Sequence, residues 1–228
     1  MRSGPNDEPR TKGGLRMTVL EEMRTAPLHR SPSDHLLAFG VGLLLLAAAW
    51  IYIALTHRSL QPWERSVFTS VNDLPDQLRA FLWPPMQLGN FWIWVLAAPV
   101  LYAIYRRPAP AIAVALASVS AWGLAKIIKQ LADRGRPAVF IDGVHLRESG
   151  IHGLGFVSGH VALAAAFAAA LSPWLPRPAR AVAWVLVGIV GFARIYFGAH
   201  LPLDVVGGLG IGITCGAIAS VIVGTPVR

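Results

Sequence analysis

The chain has 228 residues, 54% of them hydrophobic and 14% charged, with a formal net charge of +8. A soluble domain carries roughly 25% charged residues, so this balance excludes an ordinary water-soluble globule and points to lipid as the solvent. The basic residues gather in the N-terminal segment and the connections, as membrane topology requires, and no nucleic-acid reading module is present, so nucleic acid is set aside as a partner.

Residues 1–34 are polar, without an apolar period, and read as a disordered cytoplasmic tail ahead of a single domain at 35–228. The first apolar run, Leu36 to Leu55, is longer than the core of a secretory signal and reads as a retained anchor. A span needs about 20 mostly apolar residues. On that measure the fold class is all-α integral membrane, with six transmembrane helices in one bundle, at roughly 36–56, 88–105, 109–128, 160–175, 179–197 and 203–223. Between spans one and two, Val67, Val71, Leu74, Leu78 and Phe81 recur at steps of three or four, with Glu64, Arg65, Asn72, Asp73, Asp76 and Arg79 between them. This predicts an amphipathic helix over Trp63 to Leu82, broken near Pro75 and lying in the interface; a solvated loop is the alternative.

Six spans place both termini on one side. That side collects eleven Lys and Arg residues against nine on the other, or eleven against six once three suspected phosphate ligands are set aside. The termini are therefore expected in the cytoplasm. Gly208, Gly212 and Gly216 form a small-residue ridge on the last span, suited to close packing inside the bundle or to a homodimer contact. The one cysteine, Cys215, reads as buried filler, and no Cys/His cluster has metal-ligand spacing, so neither metal nor cofactor is expected.

Three segments fall on one membrane face: Lys129 to Pro137, Val157 to His160, and Arg194 to Asp204. Charge at membrane depth is costly and marks function by default. Lys129, Arg136 and Arg194 offer three cations, and guanidinium forks match phosphate oxygens. Ser158 is suited to cap the helix that follows, which would leave the amides of Gly159 and His160 aimed at an anion. His200 and Asp204 lie four residues apart at the entrance of the last span. A carboxylate on one ring nitrogen would hold the other unprotonated as a nucleophile, and His160 beside the anion cradle could move the leaving-group proton. His145, Arg147, Glu148 and His152, in the preceding loop, are candidates for headgroup contact. Asp73 and Asp76 read as solvated acids.

This constellation resembles the type 2 phosphatidic acid phosphatase superfamily, whose signature is K-x6-R-P, then P-S-G-H, then S-R-x5-H-x3-D. The matching residues are Lys129, Arg136 and Pro137; Ser158, Gly159 and His160; and Arg194, His200 and Asp204. The resemblance, covering about residues 36–223, implies a six-helix membrane fold and a phosphohistidine intermediate on His200. It also implies His160 as acid and base, and phosphate contacts from Lys129, Arg136, Ser158, Gly159 and Arg194. Val157 stands where the signature has proline, and Ala193 where it has serine. The first costs only backbone stiffness; the second removes a hydroxyl that bears on affinity or substrate choice.

The implied activity is metal-independent removal of phosphate from a lipid (di)phosphate. An alanine-, arginine-, glycine- and proline-rich composition suggests a bacterial plasma membrane. An outward-facing site favours a polyprenyl diphosphate of cell-wall synthesis. Phosphatidate, phosphatidylglycerol phosphate, a polyprenyl-linked sugar phosphate and phosphotransfer to another acceptor are the alternatives.

Overall fold

The computed structural model describes residues 12–29 and 33–227. Ten helices follow in chain order among them: α1 (Lys12–Thr25), α2 (Ser33–Leu55), α3 (Pro62–Asn72), α4 (Leu78–Met86), α5 (Phe91–Tyr105), α6 (Pro108–Ala132), α7 (Pro137–Phe140), α8 (Gly159–Leu171), α9 (Arg177–Tyr196) and α10 (Pro202–Val223). Two short strands, β1 (Leu28–His29) and β2 (Thr225–Pro226), pair antiparallel. Proline supplies several helix starts, at Pro62, Pro108, Pro137 and Pro202, where its missing N–H costs nothing.

Among the described residues four helical stretches are long and apolar enough to cross a membrane: His35–Leu55, Pro108–Phe140 (α6 continued by α7), Arg177–Tyr196 and Pro202–Val223. Leu78–Gly89 and Phe91–Tyr105 make a fifth if the pair, bent by 67°, counts as one span. The bend falls at Asn90, whose side chain accepts from Trp92 N–H and starts α5 afresh. The segment expected as the fourth span holds α8, a helix of only 13 residues. Nine of the 13 residues of α8 are buried and none is exposed, so its apolar character serves mainly the bundle interior rather than lipid contact.

Small residues bring the central helices together. On α6, Ala109, Ala113, Ala117, Ala121 and Ala125 recur every four residues and are buried, facing the alanine-rich α8. The glycine ridge of α10 is used inside the chain: a Cβ on Gly212 would stand 2.5 Å from the Ala162 carbonyl oxygen and from Ala165 Cβ. Backbones that approach this closely need glycine at the crossing.

The amphipathic stretch folds as α3 and α4, joined by a turn through Pro75. Of the apolar positions that define the stretch, Val67 and Phe81 are exposed, whereas Phe68, outside that set, is the residue of α3 buried in an apolar cluster. Two residues of the supposed polar face are buried as well, Glu64 at 0% and Asn72 at 1% exposure. Asn72 donates to the His145 and Tyr196 carbonyls and accepts from His145 N–H, tying α3 to the loop before α8.

Of the segment read as a tail, residues 1–11 and 30–32 lie outside the described residues, and Lys12–Thr25 is helical rather than irregular. Arg24 donates twice to the Ile104 carbonyl and Arg107 to the Ala26 carbonyl, so α1 is pinned to the turn between α5 and α6. With β1 on β2, this gathers the first and last described elements at one end of the bundle. The signature residues lie at the other.

Candidate active site

Four helix ends meet there. α6 delivers Lys129 in its last turn and stops at Asp133, which is left-handed at φ 46°. α8 begins at Gly159, α9 ends after Arg194, and α10 begins at Pro202 with Asp204 in its first turn. The reversal between α9 and α10 runs through Gly198 at φ 75°, a conformation that favours glycine.

They enclose a cavity of about 240 Å³ lined by Lys129, Arg136, Gly159, His160, Arg194 and His200, with Glu148 to Ile151 from the loop. Six of the eight expected site residues therefore line one pocket. Ser158 and Asp204 sit behind its wall, both fully buried. Ser158 occupies the N-cap position of α8, but its hydroxyl caps nothing and makes no hydrogen bond. Its backbone N–H instead donates to the Asp204 carbonyl at 2.8 Å, which fixes the start of α8 against α10.

Each cation is held in place. Lys129 Nζ donates to the Leu154 and Gly155 carbonyls at 3.1 and 2.9 Å. Arg136 donates to the His152 and Ala199 carbonyls, both at 2.8 Å. Arg194 meets Glu148 Oε2 at 2.6 Å, so a carboxylate stands beside a guanidinium face of the kind phosphate takes.

His200 Nδ1 lies 3.3 Å from Asp204 Oδ2, and the same oxygen accepts from Leu201 N–H at 2.9 Å. A carboxylate at Nδ1 favours the tautomer with hydrogen there, which leaves Nε2 as the lone-pair nitrogen. Burial, and after it the charges of Lys129, Arg194 and Arg136, hold the His200 imidazole well below its ordinary pKa. The ring is therefore neutral at pH 7.

Behind Asp204 stands a charge network that the sequence reading missed. Arg134 donates to both Glu64 oxygens and lies 3.5 Å from Asp204 Oδ1, while Glu64 also accepts from Leu203 N–H at 3.2 Å. Arg134 is 1% exposed. Such a cluster is tolerated only where geometry and further hydrogen bonds compensate desolvation, and here three elements contribute them. The one signal in the sequence is that Arg134 lies two residues before Arg136, in the same connection between α6 and α7.

Residues 109–228 match the PAP2 superfamily, just over half the chain. The chain belongs to that superfamily. An undecaprenyl-diphosphatase of Sulfolobus acidocaldarius is 25% identical over 124 residues, which are 54% of this chain and 60% of that relative's length. Aquifex aeolicus LpxE superposes with a TM-score of 0.62 at 28% identity, over 68% of this chain and 92% of LpxE. A transmembrane PAP2 type phosphatidylglycerolphosphate phosphatase from Bacillus subtilis shares the fold, with a TM-score of 0.62 at 21% identity over 84% of this chain and 95% of its own. With its several long apolar helices, this PAP2 chain is a multi-pass membrane protein.

The two departures from the signature have local accounts. Ala193 is fully buried in a cluster with Met86, Tyr196 and Phe197 and does not itself line the pocket. Val157 is likewise buried, beside Phe156 and against Gly207. The loop candidates separate by role. Arg147 is a staple: it donates to the Asn72, Tyr196 and Leu74 carbonyls and to Asp76, and lies over the Tyr196 ring. Asp76 is thus a partner in an ion pair rather than a freely solvated acid. His145 faces Asp73 at 3.8 Å, and the His152 carbonyl accepts from Arg136. Glu148 alone of the four lines the pocket. Among the described residues no group of three His, Cys, Asp or Glu is placed to hold a metal ion. The pocket's own chemistry is cationic anion binding beside two imidazoles.

Proposed function

We propose that this PAP2 chain is a metal-independent membrane lipid phosphatase acting through a phosphohistidine. The observation that carries the reading is the convergence of Lys129, Arg136, Arg194, the α8 N-terminus and both histidines on a single pocket. His200 Nε2 attacks phosphorus while Asp204 holds Nδ1–H. His160 gives a proton to the departing lipid oxygen. Water, deprotonated by His160, then attacks the phosphohistidine, and inorganic phosphate leaves with His200 restored. The three cations and the Gly159 amide stabilise the charge on the transferring oxygens, while Ser158, buried behind the pocket wall, fixes the start of α8 that presents that amide.

The preferred substrate is a polyprenyl diphosphate. Supporting this are the activity named for the Sulfolobus relative and the site's position at the bundle end away from α1 and the β1–β2 pair. On the same reading the chain crosses a bacterial plasma membrane six times, α8 serving in the fourth span, with α3 and α4 at the interface. The domain is 35–228, and the site faces away from the cytoplasm. The test is phosphate release by purified protein from polyprenyl diphosphate, phosphatidate and phosphatidylglycerol phosphate with chelator present. Release from the diphosphate at an undiminished rate supports the reading. Complete loss on chelation, restored by a divalent ion, overturns metal independence.

A further inference from the structure

A second cavity adjoins the first and leads away from His200. It measures about 270 Å³ and shares Lys129, Gly159 and His160 with the phosphate pocket. Its own walls are Asn90, Phe91, Trp122, Ala125, Lys126 and Leu163. Gly89 closes one side, and the fit is tight: a Cβ there would stand 2.4 Å from His160 Cβ. Arg136, Arg194 and His200 line only the first cavity.

The shared residues fix the direction of the reaction. In-line displacement sends the leaving group away from the nucleophile, so an attack from His200 pushes the departing oxygen past His160 into the second cavity. Whatever lies beyond the scissile bond sits there. Its walls are mostly apolar, with one added charge, Lys126. Three residues apart, Lys126 and Lys129 share a face of α6, with Trp122 a further turn back. Lys126 Nζ lies 3.7 Å from the Trp122 ring centroid, and among the described residues no carboxylate pairs with it. It stands about 4.5 Å deeper along the helix than Lys129. Lys126 is exposed at the edge of the leaving-group cavity it lines, one helical turn before Lys129, with its ammonium held on the Trp122 ring.

We propose that Lys126 forms a subsite for the second phosphate of a lipid diphosphate, so that Lys129 and Lys126 hold successive phosphates on either side of His160. This rests on the phosphatase reading for its direction of attack and adds the residue that distinguishes a diphosphate from a monophosphate. The apolar walls then take the first carbons of the lipid chain.

The test separates the subsite from turnover. Binding of inorganic pyrophosphate and of orthophosphate is measured on the full chain in detergent, for the unmodified protein, Lys126→Met and Lys126→Arg. Methionine keeps the apolar stem and removes the charge. A hydrogen bond to a charged group supports about a tenfold difference, so pyrophosphate should bind about tenfold more tightly than orthophosphate, and this margin should vanish in Lys126→Met and persist in Lys126→Arg. The ratio of kcat/KM for a polyprenyl diphosphate to that for the monophosphate of equal chain length should fall in parallel. Equal affinities in the unmodified protein, or a margin untouched by Lys126→Met, would overturn the subsite. If the binding margin follows Lys126 while neither lipid is hydrolysed, the subsite stands and the phosphatase reading fails.

Discussion

His200 and His160 line one pocket, and the proposed mechanism gives them different burdens, so their variants should behave differently. His200→Ala removes the attacking nitrogen, so turnover of every lipid phosphate should drop by about 10⁴-fold or more. His160→Ala removes a proton donor, an effect of about 10²–10⁴-fold that is largest for poor leaving groups. A monophosphate lipid must lose an alkoxide, whereas a diphosphate loses a phosphate monoester of low pKa. His160→Ala should therefore damage monophosphate turnover more, as steady-state rates on matched lipids will read; equal damage to both would remove its role as acid. The pH profile probes His200 separately. Its pKa is held low by burial and by neighbouring cations, so protonation, which destroys the nucleophile, sets in only well below the ordinary imidazole range. The acid limb of kcat/KM for the free enzyme should accordingly fall clearly under 6.5 on the axis. A limb at or above that value would mean that His200 is not the titrating nucleophile.

Arg134 belongs to the same scale. It contacts both Glu64 and Asp204, and its loss leaves two buried carboxylates without the guanidinium that bridges them. Arg134→Met should cost about 3–5 kcal/mol of stability, visible as a lower thermal midpoint in detergent, because uncompensated buried charge is the expensive outcome. An unchanged midpoint would show that the network contributes little. The sequence made Asp204 visible through its spacing from His200, but Glu64 is 70 residues from Arg134 and joins it only through the tertiary fold. On a helical wheel Glu64 looks solvated, since a wheel reports which side of a helix is polar and not what is packed against that side.

At the level of elements, hydropathy located the long apolar helices well, since a 3.6-residue period and a run of about 20 apolar residues are local properties. It was less able to describe α8, where alanine-rich apolar sequence signals burial among other helices as readily as burial in lipid. The ridge on α10 gives a paired expectation. Gly212→Leu would drive a side chain into the Ala162 carbonyl and Ala165, and should destabilise by about 1–3 kcal/mol or prevent folding. On α9, a Cβ added at Gly188 would meet no atom within 4 Å, so Gly188→Ala should be neutral or stabilise by about 0.5–1 kcal/mol. Thermal unfolding of the two variants side by side checks both; similar losses in each would mean that the α10–α8 crossing has slack.

For the whole molecule, two ends of one bundle have different chemistry. One gathers α1, the β1–β2 pair and the α5–α6 turn, and the other gathers the cationic pocket. Placing the first end in the cytoplasm predicts that Asp142→Cys, in the exposed loop after α7, is labelled by a membrane-impermeant thiol reagent from outside the cell; Cys215 is buried and adds little background. Labelling only after the inner face is opened would reverse the orientation. The central claim is covalent transfer of phosphate to His200, and trapping the phosphoenzyme tests it most directly. Rapid quenching of the unmodified protein with a lipid diphosphate labelled in its terminal phosphate should yield protein-bound label on a peptide containing His200, absent from His200→Ala and accumulating in a variant slowed in hydrolysis. Turnover with no bound label, or label that survives in His200→Ala, would contradict the account.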